Sequence, residues 1–143
     1  DKIKELAADI TVIETQYCDN DIAKAQDCVD NLILANEDLV GIFGDNNHMG
    51  DGIANSIAQN GKEGAIMAYA FDSDDTEIAA IQNGALTGIV VQDPFGMGHD
   101  GVLAAVAAAK GETVEHDIVA VTTLVTKANL EDADVQKLLY PDK

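Results

Sequence analysis

Apolar positions along the chain recur with two spacings, one close to every second residue and one close to every third or fourth. Short apolar runs predict strands at residues 10–16, 39–44, 65–71, 87–92 and 118–125. Stripes at helical spacing predict helices at residues 1–9, 21–36, 49–60, 74–83, 97–110 and 131–139. Strands that alternate with helices of about 10–15 residues are typical of βαβ units. The predicted fold class is therefore α/β, a three-layer open parallel sheet with helices on both faces.

Polar side chains follow three of the predicted strands at the point where each strand ends. They are Asn46, Asp72 and Gln92. In an open parallel sheet the carboxyl ends of the strands meet at the crevice where ligands bind. Amides and carboxylates can each engage neighbouring hydroxyl groups, so the pattern predicts a site for a polyhydroxylated ligand such as a sugar. Two alternatives stay open, since Asn46 would also serve as a helix N-cap and Asp72 as a turn carboxylate.

Composition narrows the possible partners. The chain has 143 residues, a length typical of one domain, and 47% of them are hydrophobic. The formal net charge is −18, and every cationic residue is Lys. Such a surface repels phosphate groups and lacks guanidinium clamps, which argues against nucleic acid and anionic membranes as partners.

The sequence offers little for catalysis, metal binding or cofactors. His48 and His99 have no adjacent nucleophile, the glycines do not form a dinucleotide-binding fingerprint, and residues 72–83 lack the Gly and Glu of a calcium loop. We therefore expect a binding protein rather than an enzyme, without metal or cofactor. Cys18 and Cys28 are compatible with either a disulfide or two free thiols.

Several motifs resemble those of ribose-type periplasmic binding proteins, the solute-binding components of sugar ABC transporters. The resemblance covers nearly the whole chain and lies in these segments: Gly44-Asp45-Asn46-Asn47, Tyr69-Ala70-Phe71-Asp72, Val90-Val91-Gln92-Asp93-Pro94, and the tail Leu124-Val125-Thr126-Lys127. It implies that Asn46, Asp72 and Gln92 hydrogen-bond a monosaccharide. Asn20 stands where many members carry an aromatic residue facing the sugar, and we expect its amide to contact a sugar hydroxyl group instead.

The same resemblance implies an organisation and a set of partners. Residues 1–143 would be the carboxyl-terminal lobe of a two-lobed protein, with residues 95–114 crossing to the other lobe. The whole protein would be extracytoplasmic, periplasmic or a cell-surface lipoprotein, and would deliver its sugar to a membrane permease. An apolar helix deprived of the other lobe would favour a homodimer. The effector domain of a LacI-type repressor is the alternative function, because it shares the fold.

Overall fold

The computed structural model describes residues 2–7, 9–13 and 15–141. Its helices and strands follow one another along the chain in this order: α1 (Lys2–Leu6), α2 (Ile22–Ala35), β1 (Gly41–Phe43), α3 (Asn47–Gln59), β2 (Met67–Phe71), α4 (Asp75–Asn83), β3 (Gly88–Gln92), α5 (Pro94–Ala109), β4 (Thr122–Thr126) and α6 (Ala133–Leu139).

The four strands form one sheet in the order β1-β2-β3-β4. The first three are parallel, and α3 and α4 make the connections between them. Local signals fix where these helices start and stop: the side chains of Asn46 and Asp74 cap α3 and α4, and Gly84 ends α4 at φ 90°. The α/β class and the open, mostly parallel sheet are confirmed.

The prediction of a strand at residues 10–16 is wrong, because residues 10–13, 15 and 16 do not form one. Glu14 lies outside the described residues. The side chains of Ile10, Val12 and Ile13 are 47%, 46% and 40% exposed. A strand needs a neighbour that takes its backbone N–H and C=O groups. No strand of the described sheet pairs with this segment, so its alternating pattern does not produce a strand. Of the helix predicted at residues 1–9, Asp1 and Ala8 also lie outside the described residues.

The last strand, β4, runs antiparallel to β3, which the βαβ pattern did not predict. Gln92, the final residue of β3, is paired with Thr122, the first residue of β4. The chain therefore leaves the sheet and returns to it at the same edge, and a strand that re-enters there must run in the opposite direction. Residues 118–121, predicted as part of this strand, lie outside it.

One aliphatic cluster forms the core between the helices and the sheet. Its most deeply buried members are Ile57, Ile81, Leu86, Ile89 and Val125. Helices α2 and α3 are also joined by polar contacts, because Asp30 accepts hydrogen bonds from the buried hydroxyl of Ser56 and from the Asn60 amide. These contacts fix α3, whose amino terminus borders the carboxyl edge of the parallel strands.

Helix α5 spans 16 residues, and none of them is buried. Val102, Leu103 and Val106 are 64%, 55% and 45% exposed. No helix among the described residues is long and apolar enough to cross a membrane.

Candidate functional site

The carboxyl ends of β1, β2 and β3 lie along one edge of the sheet because these strands are parallel. The chain continues from them into the segments that hold Asn46, Asp72 and Gln92. All three side chains are half-buried. We call the edge of the sheet that carries Asn46, Asp72 and Gln92 the carboxyl edge.

Asp72 and Gln92 are in direct contact. The Gln92 side-chain amide donates to Asp72 Oδ1 at 2.6 Å. Asp72 adopts φ 73°, a left-handed conformation that Asp tolerates better than most residues, and its backbone N–H is held by the Val90 carbonyl at 2.8 Å. The bond between the side chains leaves further acceptor positions on the Asp72 carboxylate and both a donor and an acceptor on the Gln92 amide.

Asn46 follows β1, the strand next to β2, and stabilises the start of α3. Its Oδ1 accepts from the backbone N–H of Met49 at 3.1 Å, which makes Asn46 the N-cap of α3. Its amide nitrogen lies 3.4 Å from Asp45 Oδ1, a long contact at an exposed position. The sequence alternative of an N-cap is therefore what the structure contains, and the amide group still borders the carboxyl edge.

Asn20 lies in the turn that precedes α2, where it is exposed and has φ 59°. Among the hydrogen bonds of residues 15–141, none joins Asn20 to Asn46, Asp72 or Gln92. The structure thus brings two of the predicted side chains into contact, places Asn46 in the segment after the neighbouring strand, and leaves Asn20 on a separate turn.

Behind the carboxyl edge lies a buried acid that sequence reasoning missed. Glu77, in the first turn of α4, is 0% exposed. Neither of its carboxyl oxygens completes a hydrogen bond of normal geometry within the described residues, although the Asp74 backbone N–H is close enough to favour the charged form weakly. Burial, and then the charges of Asp74, Asp51 and Asp72, raise the pKa of Glu77 to about 8.

Asp51 and His48, on α3, accompany Glu77. Asp51 is 7% exposed, and burial followed by the charge of Asp74 raises its pKa, while nearby His48 acts in the opposite direction. Asp51 Oδ1 and His48 Nδ1 have no hydrogen-bond partner among the described side chains and backbone. The signal that could have revealed Glu77 is the spacing Asp74-x-x-Glu77, a capping box, which directs the acid toward the start of its helix.

Gly50 leaves room for the Glu77 side chain because it has no Cβ. A Cβ built on Gly50 would collide with Glu77 Oε1 and would lie 2.6 Å from the Ala70 Cβ. The glycine lets α3 approach β2 closely while the Glu77 carboxyl fits between the two helices.

A cleft of about 350 Å³ opens beside Asp72 and Gln92. Its remaining walls are apolar for the most part and come from Met97, Leu138 and Leu139. A few polar groups against an apolar wall suit a small ligand that has hydroxyl groups on one side and C–H groups on the other. The described residues contain no group of three or more His, Cys, Asp or Glu side chains able to hold a metal ion.

Comparison with known proteins identifies relatives of one kind. A family model described as a periplasmic binding protein domain matches residues 1–113. Over 107 residues, 75% of the chain, it is 29% identical to the ribose import binding protein of Haemophilus influenzae and covers 36% of that protein.

Solved structures agree with the family model. A carbohydrate transporter solute-binding protein from Agrobacterium radiobacter, in complex with D-arabinose, superposes with a TM-score of 0.88 at 36% identity, covering 96% of this chain and 47% of that one. An ABC transporter solute-binding protein from Agrobacterium vitis, bound to α-D-tagatopyranose, gives a TM-score of 0.85 at 34% identity, covering 91% and 44%. The chain spans less than half the length of each of these relatives.

Proposed function

This chain belongs to the periplasmic binding protein domain family, and we propose that it is the sugar-binding lobe of a solute-binding component of a sugar ABC transporter. The observation that carries the proposal is the Gln92–Asp72 hydrogen bond of 2.6 Å at the carboxyl edge. It orients a carboxylate and an amide side by side, and their remaining donors and acceptors match two adjacent hydroxyl groups of a monosaccharide. The named ligands of the similar solved structures, D-arabinose and α-D-tagatopyranose, are uncharged sugars.

In this function each polar side chain of the edge has a role. Asp72 accepts from sugar hydroxyl groups, Gln92 accepts and donates, and the Asn46 amide donates while its oxygen stays on the α3 N-cap. Asn20 is the weakest of the four assignments, since it is exposed and lies in a different turn. The chain acts by binding, and its named relatives are binding proteins rather than enzymes.

The chain forms the carboxyl-terminal lobe of a two-lobed protein in this proposal, and residues 95–114 cross to the other lobe. Two observations support this arrangement: the relatives are about twice as long as this chain, and α5 has no buried residue although it carries a run of apolar side chains. A second lobe would cover that run. Closure of both lobes around one sugar would exclude water from the Asp72 and Gln92 hydrogen bonds and strengthen them.

The partners and location follow from this function. The two-lobed protein would operate outside the cytoplasm, in the periplasm or as a cell-surface lipoprotein, and would present its closed form to a membrane permease. This assignment rests on the relatives, which include a ribose import binding protein and carbohydrate transporter components.

When the chain is alone, a second copy would cover the apolar surface of α5 and form a homodimer. The exposed side chains of Val102, Leu103 and Val106 support this. Light scattering at micromolar concentrations should give the mass of two chains, and Leu103→Lys should reduce it to one. A single-chain mass for the unaltered protein would refute the dimer.

Calorimetry with D-ribose, D-arabinose and D-tagatose tests the sugar site. We expect at least one of them to bind, and Asp72→Asn to weaken its affinity by roughly tenfold or more, because hydrogen bonds to charged groups contribute about 1.5–3 kcal/mol. Asn tolerates the left-handed backbone of residue 72, so the substitution removes charge without adding strain.

Asp132→Asn is the matched control. Asp132 precedes α6 beyond the far end of β4, and its side chain makes no capping hydrogen bond. It should leave sugar affinity unchanged. Equal affinities of the Asp72→Asn variant and the unaltered chain would remove Asp72 from the site, and failure of all three sugars to bind would contradict the proposed ligand class.

A further inference from the structure

Two cysteines flank a sharp reversal of the chain at the start of α2. Asp19 and Asn20 follow Cys18 with φ 54° and 59°, and the Asp21 N–H donates to the Cys18 carbonyl at 3.0 Å. The Asp21 side chain then caps α2 by accepting from the Lys24 N–H at 2.9 Å. The turn therefore sets Cys18 against the first turns of the helix.

Cys28 lies on the inner side of the same helix. It is half-buried and stands between Ala25 and Val29, which are 2% and 4% exposed. Side chains on a helix tilt toward its amino terminus, so the Cys28 thiol points back toward the turn that holds Cys18. Cys18 is 8% exposed, and its thiol lies close enough to that of Cys28 for the two groups to interact. Both residues are thiols in this structure.

We propose that Cys18 and Cys28 form an intramolecular disulfide under oxidising conditions and that this bond fixes the Asp19–Asn20 turn against α2. The turn before α2 and the tilt of the Cys28 side chain bring the two thiols near each other, as a disulfide requires. Disulfides form and persist in oxidising compartments outside the cytoplasm, which agrees with the location proposed above.

The oxidant is an external disulfide such as oxidised glutathione, and the reaction proceeds by two exchanges. The Cys28 thiolate attacks one sulfur of glutathione disulfide, forms a mixed disulfide and releases one glutathione thiolate. Cys18 then loses its proton and attacks Cys28 Sγ, and the second glutathione leaves. The two protein thiols are oxidised to one disulfide, and one glutathione disulfide is reduced to two thiols.

The order of the two thiols follows from their surroundings. Burial raises the pKa of Cys18 to about 11, helped by the nearby Cys28 thiol and then by the charges of Asp19 and Asp45. The Cys18 thiolate is therefore scarce at neutral pH, and the more accessible Cys28 reacts first. Attack by Cys18 is favoured because its target sulfur is close by within the same chain.

The disulfide would restrain the strained backbone of Asp19 and Asn20. Two consecutive residues other than glycine in the left-handed region are unfavourable, and a covalent link across them limits the alternatives. Asp45, whose charge reaches Cys18, directly precedes Asn46 at the carboxyl edge. A fixed turn would thus hold Asn20 in one position relative to that edge; this last consequence rests on the proposed function, whereas formation of the disulfide does not.

The test is incubation of the chain with oxidised glutathione, followed by mass spectrometry of the intact protein and of its peptides without reduction. We expect a mass lower by two hydrogens, a peptide pair joined through Cys18 and Cys28, and no thiol that reacts with Ellman's reagent. Closing a loop of about ten residues should raise Tm by roughly 5–10 °C relative to the reduced protein.

Cys28→Ser is the control, because it replaces the half-buried thiol and leaves the buried one in place. Its Tm should be the same with and without oxidant, and its remaining thiol should stay free. A glutathione adduct that persists on Cys28, a disulfide between two chains, or two thiols that remain free in the unaltered protein would each overturn the proposal. Sugar affinity is not part of this readout, so failure here is distinguishable from failure of the proposed function.

Discussion

Replacing Glu77 with Gln should stabilise the protein at neutral and alkaline pH. Glu77 is 0% exposed, and its pKa is raised from 4.5 to about 8, first by burial and then by the charges of Asp74, Asp51 and Asp72. Gln has nearly the same shape and carries no charge. Gln is also accepted at the N3 position, three residues after the N-cap Asp74, so the packing and the helix start are retained.

The sign of the pH dependence follows from proton binding. Between pH 4.5 and about 8 the folded state keeps the Glu77 proton while the unfolded state has lost it. The folded state therefore binds more protons, and its stability falls as pH rises through this window. The gap between the two pKa values corresponds to about 5 kcal/mol at pH values above the window, and to about 3 kcal/mol near pH 7.

Urea unfolding followed by circular dichroism measures this effect. The free energy of unfolding of the unaltered chain should fall by a few kcal/mol from about pH 5 to about pH 8, whereas that of Glu77→Gln should change much less. The two proteins should be close in stability near pH 5 and diverge above it. Glu63→Gln makes the same change of charge at an exposed position and should keep the pH dependence of the unaltered chain.

Two results would refute this reasoning. One is a parallel loss of stability with pH in the unaltered chain and in Glu77→Gln, which would place the effect elsewhere in the acidic surface. The other is a Glu77 carboxyl carbon that titrates in an NMR experiment near its ordinary pKa of 4.5. Such a value would mean that the acid is charged and solvated at neutral pH.

Two further substitutions test the packing behind the carboxyl edge. Gly50→Ala should destabilise the protein by roughly 1–3 kcal/mol in urea unfolding, because the added methyl group collides with the Glu77 carboxyl. Gly101→Ala, in open space on α5, should stabilise it by about 0.5–1 kcal/mol. Equal effects of the two substitutions would contradict the close approach of α3 to Glu77. Asp30→Ala should lower the free energy of unfolding by about 1–3 kcal/mol because it leaves a buried hydroxyl of α3 without its acceptor, and Asp27→Ala, at an exposed position of the same helix, should change it little.

The middle of the chain could be predicted from sequence because its signals are local. Each helix from α2 to α4 begins at a capping side chain, namely Asp21, Asn46 or Asp74, and α4 ends at Gly84 with the left-handed φ that glycine favours. The strands between them are short apolar runs. The signals that start these helices lie within a few residues of each helix.

The features that sequence reasoning missed depend on partners far along the chain. The alternating residues 10–16 have the pattern of a strand, but a strand also requires a paired neighbour, and no window of sequence reports its presence. The direction of β4 depends on where the chain returns after α5. The burial of Glu77 depends on Gly50, which lies on another helix and leaves room for the Glu77 carboxyl because it has no side chain.

The predicted site illustrates the same division. The position of a residue at a strand end can be read from local sequence, and it predicted that Asp72 and Gln92 lie close together, as they do. The turn of Asn20 is set by Cys18 and Asp21 instead of by the sheet, so its relation to the other side chains could not be derived from strand ends.

The charge distribution of the carboxyl edge bears on the class of sugar it can accept. Asp45, Asp72 and Asp74 lie in the segments that follow β1 and β2, and the whole chain has a formal net charge of −18 without any Arg. A phosphorylated or carboxylated sugar would meet this negative potential with no guanidinium group to offset it, and like charges brought together at a binding site cost several kcal/mol. An uncharged sugar in the proposed site would meet no such repulsion and would gain strong acceptors for its hydroxyl groups. The raised pKa of Glu77 fits this arrangement, because a proton retained behind the edge keeps one more negative charge away from Asp72. In the proposed site, selection for neutral ligands would therefore follow from repulsion of anions as much as from the hydrogen bonds of Asp72 and Gln92.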